Sequence, residues 1–247
     1  MSLKTGLNLT KNYSINFNLP KRQKKMIKFI VIHYTGMKVE TSSIKRLCDP
    51  KSKVSCHYFI KNNGQILELV PDLFEAWHAG QSKWKNYKSL NKYSIGIEIQ
   101  NPGHEHGYKK FNKKQVSSII KILKYLIKKY KIKFQNVLGH SDIAPFRKKD
   151  PGEKFPWRIL AKKKLCHWHN YHEIEIFKSR RVKITNLEKE IFLKNLYKIG
   201  YGKLKKSSSI KDKKNLTKAF QRRFRQGLVN GEADQECLLI SKNLLKS

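Results

Sequence analysis

The sequence predicts an α/β fold in which helices flank a central mixed sheet, followed by a small three-helix domain at the C-terminus. Three observations indicate this class. Apolar runs of strand length recur through the first two thirds of the chain, an amphipathic helical segment lies among them, and three helical patterns end the chain. Strands that alternate with helices form a sheet covered by helical layers.

The strand signals come first along the chain. Residues 27–34 form an apolar run that predicts a buried strand. Residues 57–60 and 65–70 flank Asn62-Asn63-Gly64, a strong turn signal, and predict a hairpin. Residues 94–100 predict another strand. The polar, basic residues 1–25 are expected to be irregular.

One long helix and two short elements complete this part. Residues 112–131 place their apolar side chains on one face at helical spacing and their lysines on the other. Residues 134–138 predict a short strand that leads to His140. Pro156 and Trp157 begin a short helix that extends toward Leu165.

Periodicity fades over residues 167–185, and three helical patterns follow, over about 186–200, 215–226 and 233–245. A Lys/Ser-rich loop is expected over 203–214. The chain therefore divides, in order, into a basic N-terminal extension at 1–25, an α/β domain at 26–166, a linker at 167–185 and a helical domain at 186–247.

The charge is extreme, because 54 Lys and Arg face 18 Asp and Glu for a formal net charge of +36. Such charge attracts polyanions such as nucleic acid, anionic lipid or an acidic cell-wall polymer. The alternative is compositional drift toward Lys, Ile and Asn, as AT-rich coding produces. No nucleic-acid motif occurs, and no aromatic side chains are interleaved with the helix lysines for stacking. A nucleic-acid partner is therefore not expected.

Cys48, Cys56, Cys166 and Cys237 form no C-x-x-C pair, and we predict free thiols; a Cys48–Cys56 bridge is the alternative considered. The sequence contains no apolar run of about 18 residues, so no transmembrane segment is predicted. Residues 21–34 imitate a secretory signal but carry charge inside the apolar stretch and lack a cleavage site. The chain as given is therefore cytoplasmic by default.

The richest chemistry lies in residues 139–152, a turn-rich loop that contains His140, Lys148 and Asp150. His33 ends the first apolar run. Two histidines and a carboxylate form a three-ligand zinc site with an open position for water, which indicates hydrolysis. The alternatives are a core histidine at 33 and a turn-capping carboxylate at 150.

Two further side chains extend this pattern. Pro151 favours an extended Asp150, and residues i and i+2 of an extended segment share a side, so Lys148 leans toward the same point. Glu98 lies in the middle of a predicted strand, and its side chain points to the face opposite that of Ile97. It is either one residue of a solvated strand face or a general base aimed into a cleft.

Five blocks, in order, resemble the zinc-dependent N-acetylmuramoyl-L-alanine amidases of the AmpD-like, amidase type 2 class. The resemblance covers roughly residues 27–165, and its blocks are Val31-Ile32-His33-Tyr34-Thr35, Val54-Ser55-Cys56-His57-Tyr58, Ala76-Trp77-His78-Ala79-Gly80, Ser94-Ile95-Gly96-Ile97-Glu98, and Gly139-His140-Ser141-Asp142-Ile143-Ala144-Pro145 continuing through Asp150-Pro151-Gly152. It implies the amidase fold of that class for residues 26–166.

The resemblance also implies roles. His33, His140 and Asp150 would bind one Zn²⁺, Glu98 would be the base that activates water, and Lys148 would face the developing oxyanion. The reaction implied is cleavage of the amide between N-acetylmuramic acid and L-alanine in peptidoglycan or muropeptides.

Five residues are candidates for substrate binding. Arg147 and Asn101 could bind stem-peptide carboxylates, and Trp77, Trp84 and His57 could form the cleft wall. Ordinary core packing is an equal alternative for the wall residues.

Two positions depart from the family pattern. Phe146 replaces the usual glycine, which puts fine specificity in question, and Cys56 replaces a small residue. The segment from Cys166 to His172 has metal-binding composition, but its crowded ligands do not favour a second metal site.

The helical domain resembles, more loosely, three-helix peptidoglycan-binding domains; simple packing against the first domain is the alternative. This two-part architecture favours the cell envelope or periplasm. A non-catalytic peptidoglycan receptor is the alternative function, although such receptors tend to lose a zinc ligand.

Overall fold

A six-stranded mixed sheet organises the fold, and this computed structural model describes residues 9–11, 13–205 and 207–246. The ten strands are β1 (Leu9–Lys11), β2 (Phe17–Asn18), β3 (Phe29–Tyr34), β4 (Tyr58–Ile60), β5 (Ile66–Glu68), β6 (Glu75–Ala76), β7 (Lys83–Trp84), β8 (Tyr87–Lys88), β9 (Ser94–Ile99) and β10 (Val137–Gly139). The helices are α1 (Glu40–Cys48), α2 (Lys113–Tyr130), α3 (His140–Ile143), α4 (Trp157–Lys162), α5 (Glu173–Phe177), α6 (Asn186–Ile199), α7 (Ile210–Phe224) and α8 (Gln235–Asn243).

The strands of the main sheet follow the order β1-β5-β4-β9-β3-β10. Strands β4, β9, β3 and β10 run parallel, whereas β4 and β5 form the predicted antiparallel hairpin. Strands β2 and β6 form a small sheet, as do β7 and β8. The predicted mixed sheet is confirmed, and its parallel centre brings the carboxyl ends of β3, β9 and β10 to one edge.

Both faces of the central strands are buried, since successive side chains of a strand point to opposite faces. Ile30 and Ile32 of β3 join the cluster that packs beneath α2, while Phe29 and Val31 join the cluster beneath the C-terminal helices. The strand is therefore apolar throughout rather than alternating, as parallel strands covered on both sides usually are.

Helix α2 confirms the predicted amphipathic helix. It begins at a capping box, in which the Asn112 side chain accepts from the Gln115 backbone N–H and the Gln115 side chain accepts from the Asn112 N–H. Ile119, Leu123 and Leu126 pack on the sheet with no exposed area. Its lysines lie on the outer face.

The C-terminal helices cover the opposite face of the sheet. Phe192 and Leu196 of α6 and Phe220 of α7 share one buried cluster with Leu138 of β10. The three predicted helices are present, and they pack directly on the sheet that carries the candidate site.

Several predicted boundaries were wrong. Residues 9–11 and 17–18 form strands, although the whole N-terminal stretch was predicted irregular. Strand β1 pairs with the edge strand β5, and edge pairing depends on a distant partner rather than on local pattern. Residues 134–136 form a 3-10 turn, so β10 begins only at Val137.

Two differences concern the C-terminal part. Helix α7 begins at Ile210 because Ser209 and Asp212 form a capping box ahead of the predicted start. A short helix, α5, lies inside the segment predicted as a linker. Capping side chains were sufficient to convert part of the predicted Lys/Ser loop into helix.

Three smaller predictions concern cysteines, metals and membranes. All four cysteines are free, as predicted. Within the described ranges, no group of ligands around Cys166 to His172 meets metal-site geometry. No helix in the described part of the chain is long and apolar enough to cross a membrane.

Candidate functional site

The candidate site lies at the carboxyl ends of the parallel strands, where open α/β sheets usually bind ligands. His33 of β3 and Glu98 of β9 are register partners near the ends of their strands. His140 is the first residue of α3, immediately after β10. The sheet topology therefore brings together three side chains that are far apart in sequence.

His33, His140 and Asp150 converge on one point. The two Nδ1 atoms lie 2.9 Å apart, and Asp150 Oδ2 lies 3.1 Å from His33 Nδ1 and 3.0 Å from His140 Nδ1. All three side chains are buried. Within the described residues, this is the one group of three side chains with metal-site geometry. The structure thus brings together the three predicted metal ligands.

Hydrogen bonds on the far side of each ring determine which nitrogen carries the proton. His140 Nε2 lies 3.1 Å from the Ala79 carbonyl, which can only accept, so His140 Nε2 donates. Ser94 donates to the Leu90 carbonyl and so accepts from His78 Nε2 at 3.2 Å.

Because burial lowers the pKa of His78 well below its ordinary value, that ring is neutral and its Nδ1 is an acceptor. His33 Nε2, 3.0 Å away, therefore donates to it. With its outer nitrogen protonated and its ring neutral, His33 presents its Nδ1 lone pair toward His140 Nδ1 and Asp150 Oδ2. These three atoms are of the kinds that bind a metal cation, and a cation between them would accept their lone pairs.

The geometry fits a tetrahedral metal ion. Ligand atoms at about 2.0 Å from one such ion lie about 3.3 Å apart, close to the observed separations of 2.9–3.1 Å. Two imidazoles and one carboxylate match the donors that Zn²⁺ accepts. The outer hydrogen bonds to Ala79 and His78 orient both rings toward the point where such an ion would bind.

The charge states agree with this assignment. Burial, reinforced by His140, lowers the pKa of His33 to about 4, so the ring is neutral at neutral pH. Burial alone would raise the pKa of Asp150, but the two imidazoles hold it well below its ordinary value. A neutral His33 ring and an ionised Asp150 carboxylate are the forms in which these two side chains bind metal.

Glu98 stands beside the triad on the neighbouring strand. Burial and the charge of Asp150 raise its pKa to about 8, and Lys148 opposes the rise. Its Oε2 is buried and has no hydrogen-bond partner in the described part of the protein. An unpartnered carboxylate with a pKa near neutrality is suited to take and return a proton.

A cavity of about 410 Å³ opens over the triad. Lys148 lines it together with Glu98, His140 and Asp150. Arg147 and Lys149 line the same cavity, so the i, i+2 relationship inferred from Pro151 stays a prediction. Lys148 is half-buried, and its ammonium group contributes positive charge to this cavity.

Two predicted substrate-binding residues also line the cavity. Trp77 is half-buried, with its indole N–H donating to Asn18 at 2.8 Å. Arg147 donates to the carbonyls of Ala79 and Gln81 at 2.5 and 2.8 Å, which ties the ligand loop to the Trp77 segment. Both side chains are therefore held by the protein at the mouth of the site.

The other three predicted substrate-binding residues, His57, Trp84 and Asn101, do not line this cavity, and their binding role stays a prediction. His57 has no exposed area; it accepts from the Gly96 N–H at 2.9 Å and donates to the Phe74 carbonyl at 3.0 Å. Trp84 packs against Tyr201.

Asn101 is buried, accepts from the Gly103 N–H at 3.0 Å and donates to the Lys109 carbonyl at 2.9 Å. For all three residues, their partners lie inside the fold rather than in the cavity.

His78 is a site residue that sequence reasoning did not single out. It lies behind His33, 8 % exposed, and the absent side chain of Gly96 leaves space for its ring. Its only sequence signal is its place in the block Trp77-His78-Ala79-Gly80. Phe146, the departure from the family pattern, is 47 % exposed beside the cavity residue Arg147.

Comparison with known proteins places these residues in a family context. The amidase type 2 family, described as N-acetylmuramoyl-L-alanine amidase, matches residues 22–153. N-acetylmuramoyl-L-alanine amidase AmiD of Escherichia coli is 37% identical over 232 residues, 89% of this chain and 83% of the relative. The 1,6-anhydro-N-acetylmuramyl-L-alanine amidase AmpD of E. coli is 36% identical over 114 residues, 45% of this chain and 60% of the relative.

Solved structures agree with this. E. coli AmiD in complex with anhydro-N-acetylmuramic acid-L-Ala-D-γ-Glu-L-Lys superposes with a TM-score of 0.80 at 36% identity, covering 90% of this chain and 89% of that one. AmpDh3 of Pseudomonas aeruginosa superposes with a TM-score of 0.78 at 28% identity, covering 93% of this chain and 94% of that one. The likeness extends over the C-terminal helices as well as the sheet.

Proposed function

The chain belongs to the N-acetylmuramoyl-L-alanine amidase family, and on that premise we propose that it uses Zn²⁺ to hydrolyse the amide between N-acetylmuramic acid and L-alanine. The substrates are peptidoglycan or its muropeptide fragments. The observation that carries the proposal is the convergence of His33, His140 and Asp150, whose three ligand-type atoms lie within 3.1 Å of one another, beside the unpartnered Oε2 of Glu98. The relative AmiD of E. coli was solved with an anhydro-muramyl peptide.

Each protein side chain has a defined part in the reaction. His33, His140 and Asp150 would hold the ion, which when bound would supply Lewis-acid chemistry to the water and to the amide carbonyl. Glu98 takes the proton of the attacking water and returns it to the nitrogen of the departing L-alanine. Its raised pKa of about 8 suits both transfers.

Lys148 faces the carbonyl oxygen as it gains negative charge. Removing one donor of this kind commonly lowers kcat about 10²- to 10³-fold. Arg147 and Trp77 remain the substrate-binding candidates, since they line the same cavity. Their positions suit a stem-peptide carboxylate and an apolar face of the substrate, respectively.

The direct test is digestion of purified muropeptides, with mass detection of the released stem peptide, with and without a chelator. We expect release with Zn²⁺ and none after chelation. Glu98→Gln keeps the size and hydrogen-bonding shape of the side chain, so metal content should be unchanged while kcat falls about 10²- to 10⁴-fold. Lys128→Gln, on the outer face of α2, is the matched control.

The outcomes separate the enzyme from its alternative. Intact muropeptide after incubation with Zn²⁺-loaded protein, combined with measurable muropeptide binding, would indicate a non-catalytic receptor. Full turnover in Glu98→Gln would remove that residue from the proton transfer.

We also propose that residues 186–247 attach the amidase domain of residues 26–166 to peptidoglycan and so place the protein in the cell envelope. Supporting this, a cavity of about 450 Å³ lies between α6 and α7, lined by Phe192 and Leu193 with Lys189 and Lys213. Cosedimentation with intact sacculi should weaken in Lys189→Gln/Lys213→Gln. Fractionation of cells tests the location.

A further inference from the structure

A second cavity, of about 530 Å³, lies where α4 meets the segment that leads to α5. We name it the junction cavity. It adjoins Phe134, just before β10, whereas the metal ligand His140 directly follows β10. The junction cavity and the metal site are therefore at opposite ends of one strand. Its lining is aromatic and basic and includes Phe134, Trp168, His169 and Tyr171 with Lys162 and Lys164.

Aromatic rings form one wall of the junction cavity. Trp168 stacks on His169, with centroids 5.0 Å apart and planes inclined by 27°, and packs against Phe224 on the inner side. Trp168 and Tyr171 remain partly exposed, and Phe134 is 39 % exposed. Flat, partly exposed rings around a concave space suit a ligand with an apolar face and polar edges, as a sugar ring has.

His169 offers an unused hydrogen-bond acceptor. The ring is 6 % exposed and is hydrogen-bonded to the Phe224 backbone, while its buried Nδ1 has no partner in the described part of the chain. Burial lowers the pKa of His169 to about 4, so the ring is neutral. A carbonyl can only accept, so Nε2 donates to Phe224 and Nδ1 keeps its lone pair. A buried acceptor without a donor costs free energy that a ligand N–H or O–H would offset.

The charge of the junction cavity has one sign. Lys162 and Lys164 are exposed at its rim with Arg158, and the described residues of its lining include no Asp or Glu. A lining with only positive charge favours an anionic ligand. The required ligand therefore combines a ring with an apolar face, an N–H or O–H donor and a carboxylate.

We propose that the junction cavity binds an N-acetylmuramic acid unit of the glycan strand, separately from the metal site. Its sugar ring stacks on Trp168, its acetamido N–H or a hydroxyl donates to His169, and its lactyl carboxylate, which is free once the stem peptide has been removed, faces Lys162 and Lys164. The identity of the saccharide rests on the proposed function. No bond is made or broken here, so this site holds glycan units that have already lost their stem peptides while the distant metal site cleaves further stems.

The test uses the disaccharide N-acetylglucosaminyl-N-acetylmuramic acid without a stem peptide, which contains no scissile amide. Titration of the Zn²⁺-loaded full chain is followed through the indole N–H resonances, assigned by replacing single tryptophans with Phe. Movement of the Trp168 signal reports the junction cavity, and movement of the Trp77 signal reports the metal cleft. We expect Trp168 to shift in a saturable way.

Two variants remove the rim charge or the acceptor. Lys162→Gln/Lys164→Gln changes exposed side chains only. Because one exposed ion pair changes affinity by up to about fivefold, losing both should weaken the affinity for the disaccharide, followed at Trp168, by about 4- to 25-fold. His169→Phe keeps the ring stacked on Trp168 and should also weaken it. Lys124→Gln/Lys128→Gln, on the outer face of α2, removes the same charge and should leave binding unchanged.

Activity measurements separate this inference from the proposed function. Both double variants should cleave soluble muropeptides at the wild-type kcat/KM, whereas the rim variant should show a raised KM on insoluble sacculi from which part of the stem peptides has already been removed. Absence of a Trp168 shift in a protein that cleaves muropeptides would overturn the junction site alone. Equal shifts with N,N′-diacetylchitobiose, which lacks the carboxylate, or with AMP instead of the disaccharide would also overturn it.

Discussion

Arg223 of α7 forms a buried ion pair with Asp142 of α3, with 2.5 Å between Nη1 and Oδ2. The same carboxylate accepts from the Gly139 N–H at 2.7 Å and from the Tyr201 hydroxyl at 2.8 Å. Two C-terminal residues therefore hold the turn that begins α3, and α3 begins with the metal ligand His140. The helical part thus supports the metal site from behind as well as covering the sheet.

Removing the positive charge of Arg223 from this ion pair should destabilise the protein. Arg223→Met keeps most of the side-chain volume but leaves the Asp142 carboxylate buried without its partner. We expect the free energy of unfolding to fall by about 3–5 kcal/mol. Urea denaturation of the Zn²⁺-free protein measures the change.

The matched control for that variant is the double change Arg223→Met/Asp142→Asn. The amide that replaces the Asp142 carboxylate carries no charge, so the double variant should recover part of the loss. With Asp142→Asn measured alone, the three variants complete a double-mutant cycle that gives the coupling between the two residues. A loss below about 1 kcal/mol in Arg223→Met would show that the pair is not important for stability.

His78 should determine how tightly the metal is held. His78→Leu removes the acceptor that keeps the proton of His33 on Nε2. The proton can then move to Nδ1, and a protonated Nδ1 has no lone pair for the ion. Loss of such a partner typically weakens metal binding about 10- to 100-fold. Competition with a chromophoric chelator measures the affinity, and circular dichroism checks the fold. The exposed His106→Leu should match wild type.

Gly96 provides the space that the His78 ring occupies. A Cβ atom at Gly96 would overlap that ring, whereas a Cβ at Gly202 would meet only Lys83 at 3.7 Å. Gly96→Ala should therefore destabilise the protein by about 1–3 kcal/mol through overpacking and also weaken metal binding. Thermal unfolding of Gly96→Ala and Gly202→Ala gives the comparison, and equal melting temperatures would contradict it.

Asp72 should make stability depend on pH at the acid end. Burial alone would raise its pKa, but hydrogen bonds from Lys129 at 2.7 Å and from the Tyr130 and Tyr58 hydroxyls at 2.6 Å hold it below the ordinary 3.8. The stabilisation is complete above the ordinary pKa and is lost as the pH falls through the depressed folded value.

Urea midpoints measured from pH 5 down to about pH 2 test this expectation. The wild-type midpoint should fall steeply over that range. Asp72→Asn should have a lower urea midpoint than wild type at pH 5, and its midpoint should change less as the pH falls further. The midpoints of Tyr130→Phe should lie between those of wild type and Asp72→Asn. Parallel curves for wild type and Asp72→Asn would be the contrary result.

Local pattern was sufficient for the elements whose signals are internal to them. The apolar run of β3, the hairpin turn at Asn62-Asn63-Gly64 and the one-sided face of α2 are such signals, and all three elements form. Strand β1 was missed because its stability comes from pairing with β5, which lies far along the sequence. The start of α7 was missed because the capping pair Ser209 and Asp212 outweighed the polar composition around it.

The amino-acid sequence by itself determined the chemistry of the site, because the identities of His33, Glu98, His140, Lys148 and Asp150 state which donors, acids and bases are available. Only the tertiary structure decided which other side chains reach that point. His57 shares a motif block with cleft residues and Trp84 follows another closely, but both are buried in the packed interior, and His78 lies behind a ligand. Burial and ring orientation depend on neighbours brought from distant strands and helices, which local sequence does not encode.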